Sequence, residues 1–119
     1  MPVLEYVEIN KGGKKVGIDE DGYLVNMDEW DESVARALAE RMGFGGLTGD
    51  KIEILRFIRE YYKKYNFFPI LRAVCKYVNK PRDCMIDAFE VPLVAWKLAG
   101  LPHPEEPIIS LLEAGQTPT

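Results

Sequence analysis

One long amphipathic stretch, bounded at both ends, constrains this chain more than any other feature. After Leu47-Thr48, the residues Ile52, Leu55, Phe57, Ile58, Tyr61, Tyr62 and Tyr65 recur at helical spacing along a broad apolar face. Thr48 is suited to cap that helix, because a threonine oxygen accepts from the unpaired amides of a first turn. Asp50 near the start and Lys63-Lys64 near the end both complement the helix dipole. Asn66-Phe67-Phe68-Pro69 stops the element, since the residue before a proline avoids the helical region. A helix with so wide an apolar face needs other elements to cover it.

The neighbouring segments supply that cover. Asp28 is the expected N-cap of an earlier helix carrying Trp30, Val34, Ala37, Leu38 and Met42, ended by Gly43. Pro69 is placed to start a third helix over residues 70–78, and a fourth follows Pro81 with Cys84, Met85, Ala88 and Phe89. Residues 92–99 form a fifth that Gly100 ends, Leu101-Pro102-His103-Pro104 is a rigid exit, and Ile108 to Leu112 make one last amphipathic turn or two. Before Asn26 the chain reads as strand, Gly12-Gly13 turn and strand, then the turn Asp19–Gly22 and an extended run Tyr23–Val25. The expected fold is mainly α (α+β), a bundle of about five helices with a small N-terminal β-hairpin. One domain is expected over residues 1–104, with the hairpin at 3–25 and the helices at 28–100. Residues 105–119 read as a C-terminal extension that is partly flexible.

Composition narrows the function. The chain has 119 residues, 47% of them hydrophobic, which is enough for one packed core. Its net charge of −4 argues against a dedicated nucleic-acid binder, but the charge is unevenly spread. Residues 51–82 hold nine basic side chains against Glu53 and Glu60, while the segments on either side are acidic. No apolar run is long enough to span a membrane, and no secretory signal opens the chain. Two cysteines make no disulfide framework, and inside a cell they are expected to stay reduced. A cytoplasmic location follows by elimination. With one histidine and two cysteines at neither a CxxC nor a zinc spacing, no metal or other cofactor is expected.

Three segments go beyond a generic helical pattern. Asp19-Glu20-Asp21-Gly22-Tyr23-Leu24 leads into Trp30; Arg56-Phe57-Ile58-Arg59-Glu60-Tyr61-Tyr62 lies on the long helix; Lys97-Leu98-Ala99-Gly100-Leu101-Pro102 precedes His103-Pro104. In that order they resemble the family of the dissimilatory sulfite reductase gamma subunit, DsrC, and its sulfur-relay relative TusE, over about residues 5–104. The resemblance implies a helical fold with an N-terminal hairpin. It also implies sulfur carriage on a cysteine near the C-terminus, in exchange with sulfite reductase or a tRNA-thiolation relay. At that place the sequence departs from the family. Where the essential thiol would follow the Gly100-Leu101-Pro102 segment stands Glu105-Glu106-Pro107, and the place of the second family cysteine is Trp96. No cysteine lies between His103 and Thr119. A sulfur carrier needs an accessible thiolate on a mobile arm, and neither proline nor tryptophan can make or pass a sulfur–sulfur bond.

The remaining candidates carry less chemistry. Cys75 sits at an apolar helical position beside Val74 and Val78 and reads as a small buried hydrophobe. Cys84, after Arg82-Asp83 and near a helix start, is the candidate reactive thiol. His103 between two prolines reads as a surface residue, and Asp19, Glu20 and Asp21 as a solvated turn that lacks a calcium-loop spacing. Arg56, Arg59 and Lys63 on one helix, with Arg72 and Lys76 on the next, form a basic face suited to docking on an acidic protein partner. The reading reached is a cysteine-depleted accessory or regulatory protein of sulfur metabolism that binds a protein partner. Its alternatives are a persulfide carrier using Cys84 or Cys75, and a helix-turn-helix-like DNA-binding regulator.

Overall fold

The structure is a computed structural model that describes residues 5–9, 14–44, 46–66, 69, 71–81, 84–89 and 92–113. The expected Gly12-Gly13 turn lies outside the described residues. Strand β1 (Glu5–Ile9) pairs antiparallel with β2 (Lys14–Ile18), Val7 opposite Val16 and Glu5 opposite Ile18. The alternation of a pleated strand turns Ile9, Val16 and Ile18 inward, and all three are buried. The run Tyr23–Val25 adds only a single bridge, Ile18 to Leu24, and not a third strand.

Helix α1 (Glu32–Arg41) starts later than the sequence suggests. Its cap is Asp31, whose carboxylate accepts from the Val34 amide at 2.9 Å, and not Asp28. Asn26 takes the Asp28 amide at 3.0 Å and so closes a separate 3-10 turn over Met27–Glu29. Trp30 then stays extended, and helix can begin only after it.

Helix α2 (Gly49–Tyr65) begins at Thr48 as expected, and Asn66 closes it in the left-handed conformation at φ 61°. Four further helices follow: α3 (Leu71–Tyr77), α4 (Cys84–Phe89), α5 (Pro92–Leu98) and α6 (Glu106–Glu113). Helix α5 packs on α1, α4 and α6, while α3 packs on α2 and α4. The fold is thus a mostly helical bundle with a two-stranded N-terminal hairpin. Its core runs from Ile9 and Ile18 of the hairpin through Leu55, Ile58 and Phe89 to Leu101 and Leu112. Within the expected C-terminal extension lies helix α6, whose Leu112 is fully buried.

Candidate functional site

The region around the end of α5 is built by three long-range hydrogen bonds. The Trp30 indole donates to the Leu98 carbonyl at 2.8 Å. Arg59 donates from Nη1 to the Ala99 carbonyl at 2.8 Å and from Nη2 to the Met27 carbonyl at 2.9 Å. The carbonyls at a helix C-terminus have no partners of their own, so these donors close the end of α5. The guanidinium also lies 4.6 Å from the Trp30 ring, a cation–π distance. Gly100 turns the chain at φ 69°, and a Cβ there would run into the Trp30 ring.

Arg59 is therefore no surface cation, as its place on the basic face predicted. It is only 5% exposed. Burial lowers its pKa, and the nearby charges of Glu60 and Asp28 work against that shift. Its helical neighbours Arg56 and Lys63 do reach the surface, but Arg56 is paired with Glu32 at 2.6 Å. A hollow of about 170 Å³ is lined by Trp30, Asp31, Arg56, Arg59, Glu60 and Lys63. Two carboxylates among three cations make it mixed in sign and not an anion site. On α3, Lys76 is exposed, and the Arg72 side chain lies outside what the structure describes.

Beyond Gly100 the exit segment folds back on the hairpin. His103 Nε2 meets the Asp21 carboxylate at 2.8 Å, and its Nδ1 meets the Pro104 carbonyl at 2.9 Å. Both partners only accept, so both ring nitrogens donate when the imidazole is charged. Partial burial lowers the His103 pKa, but the bonds to Asp21 and Pro104 and the charges of Asp19 and Asp21 outweigh it and raise the value. Asp19 does not sit in a solvated turn. It is 2% exposed, and its carboxylate accepts from the amides of Asp21 (2.9 Å) and Tyr23 (3.0 Å). It shapes the loop that presents Asp21 to His103.

The two places where family cysteines were expected hold other groups. Trp96 is buried in α5, donates its indole N–H to the Pro102 carbonyl at 2.7 Å, and meets the Tyr62 ring edge-on. Pro107 stands in the first turn of α6, where a proline is tolerated because the amide it lacks has no helical partner anyway. The helix it opens packs back on α5.

The cysteines overturn an expectation. Cys75 on α3 and Cys84 at the start of α4 are joined in a disulfide, their Cα atoms 5.7 Å apart, and are not reduced. Cys75 is 1% and Cys84 6% exposed. Burial at Cys75 was legible from its apolar spacing; the bond depends on the packing of α4 against α3, which no local pattern encodes. Cys84 is in this state neither free nor well exposed, and with the bond goes one ground for a reducing, cytoplasmic location.

The family model described as "DsrC like protein" matches residues 10–108. This chain belongs to the DsrC-like family. A sulfurtransferase TusE homolog of Haemophilus influenzae is 34% identical over 105 residues, covering 81% of this chain and 95% of that protein. The gamma subunit of the dissimilatory-type sulfite reductase of Nitratidesulfovibrio vulgaris is 30% identical, covering 82% of this chain and 94% of its own. Among solved structures, the oxidized DsrC gamma subunit of Archaeoglobus fulgidus superposes with a TM-score of 0.71 at 34% identity. It covers 85% of this chain and 97% of that one. The DsrC-like fold expected from the three segments is therefore the fold observed. Among the described residues no helix is long and apolar enough to cross a membrane.

Proposed function

We propose that this DsrC-like chain is an accessory or regulatory protein of sulfur metabolism, acting in the cytoplasm by binding a protein partner. It does not carry sulfur near its C-terminus. The sulfur-metabolism role rests on its relatives, one named a sulfurtransferase homolog and one a sulfite reductase subunit. A component of that kind, sulfite-reductase-like or of a sulfur relay, is the partner the reading calls for.

One observation carries the rest. From His103 to Thr119 the sequence holds no cysteine, and the segment where a carrying thiol would stand is Glu105-Glu106-Pro107 leading into a helix docked on the core. Transfer of sulfane sulfur needs a thiolate that can leave its own fold and enter another. This segment has neither the thiolate nor the freedom. Recognition of a partner by a retained scaffold needs neither.

Incubating the chain with a persulfide donor and weighing it tests the reading. The expected result is no adduct under native, non-reducing conditions. A gain of about 32 Da, one sulfur atom, that Cys84→Ala abolishes overturns it in favour of a carrier.

A further inference from the structure

Four aromatic rings form an open ladder on one side of α2. Phe57 stacks on Tyr77 of α3 with centroids 4.2 Å apart. Phe57 and Tyr61 lie 6.2 Å apart, and Tyr61 and Tyr65 4.7 Å. Spacings of four residues put these α2 rings on one stripe, and α3 contributes the last rung. The rungs at the two ends stand out in solvent, Tyr77 72% and Tyr65 49% exposed. Rings stacked in this way are pre-ordered, so covering them costs little side-chain entropy.

The ladder is flanked by cations. Lys64 and Lys76 are exposed, and neither makes an ion pair among the described residues; the Lys64 ammonium lies 5.3 Å over the Tyr65 ring. The contrast with the N-terminal half of α2 is sharp, where Lys80 is tied to Asp50 at 2.7 Å. Glu60 is the one carboxylate on the adjoining turn.

We infer that this ladder, Tyr61, Tyr65 and Tyr77 with Lys64 and Lys76, is a docking surface for an acidic protein segment bearing apolar or aromatic side chains between its carboxylates. The inference rests on the partner-binding reading and gives that partner a chemistry. Exposed tyrosines are amphipathic anchors of the kind that carry protein interfaces, and unpaired lysines at their rim select negative charge. A nucleic acid fits less well. Two lysines are few against the six to ten or so phosphates a nucleic-acid site commonly neutralises, and the chain as a whole is acidic, at −4.

The test uses a fluorescein-labelled peptide of alternating glutamate and tyrosine, a matched peptide with glutamine for glutamate, and an oligodeoxythymidine of similar length. Anisotropy is read on the intact chain. The acidic peptide is expected to bind, and binding is expected to fall about tenfold or more with Tyr77→Ala, with the pair Lys64→Gln and Lys76→Gln, or with the glutamine peptide. Thermal midpoints read alongside keep unfolding from passing as lost binding; Tyr65→Ala serves if Tyr77→Ala lowers the midpoint. Absence of binding, binding that these variants leave unchanged, or displacement of the peptide by the oligonucleotide overturns the inference. Weighing the same preparations after persulfide treatment separates the two proposals. Sulfur uptake together with peptide binding refutes the non-carrier reading alone, and neither uptake nor binding refutes the surface alone.

Discussion

The Arg59 guanidinium donates to the carbonyl oxygen of Ala99, forty residues away, and to that of Met27 on its other side. One buried side chain of α2 thereby joins the 3-10 turn before α1 to the end of α5. The face of the long helix expected to meet a partner is used in part to hold two of the chain's own elements together.

Replacing Arg59 with Leu leaves those two carbonyls without their charged donor. Each hydrogen bond to a charged group contributes roughly 1.5–3 kcal/mol, and buried acceptors left bare add a penalty. The expected loss is about 3 kcal/mol of unfolding free energy, read from the midpoint of a urea titration. Arg59→Lys should recover little, since a single ammonium lacks the planar fork that serves both oxygens at once.

Gly100 is expected to tolerate no side chain. Alanine there meets both a positive φ, which costs roughly 1 kcal/mol for a residue with a Cβ, and the Trp30 ring in the path of its methyl. Gly100→Ala should therefore destabilise by about 2–3 kcal/mol, with the Trp30 emission shifted. A melt unchanged within error would show that the Trp30 contact is soft.

The His103–Asp21 contact makes stability depend on pH. The folded-state pKa of His103 is raised above the ordinary histidine value. Its contribution is therefore fully present below about pH 6.5, the value for the unfolded chain, and is lost as pH rises through the folded-state pKa. The expected observation is a drop in unfolding midpoint on raising the pH across that window, which Asp21→Asn flattens. An imidazole whose NMR titration midpoint lies at or below the ordinary value would refute it.

Breaking the Cys75–Cys84 bond frees a short loop in the unfolded chain. For a closed loop of about ten residues the chain-entropy estimate is roughly 2.5–3 kcal/mol. Reduced protein, or the Cys75→Ser and Cys84→Ser double variant, should unfold at correspondingly lower denaturant. Free-thiol titration of the native, unreduced protein should find no reactive thiol, and two after reduction and denaturation.

The structure separates what was readable from what was not along clear physical lines. Thr48 as a cap, Gly43 and Gly100 as stops, and the Phe57–Tyr62 stretch as helix were all legible, because capping, positive φ and apolar periodicity are local. The cap of α1 was not, for Asp28 was expected there: Asn26 caps a separate 3-10 turn that holds Asp28, Trp30 stays extended after it, and Asp31 becomes the cap. Arg59 and Lys63 stand one turn apart on the same helix and look alike in sequence, yet one is buried under Trp30 and the other is exposed.

The candidate site shows the same division. By itself, the order of residues determined the helical composition, the family, and the lack of a cysteine after His103, since each is a matter of identity and spacing along the chain. Tertiary structure alone decided that Cys75 and Cys84 bond, that Tyr77 completes a ladder begun on α2, and that His103 finds Asp21. Each of those facts joins residues carried by different elements, and only the packing of the core brings such elements together.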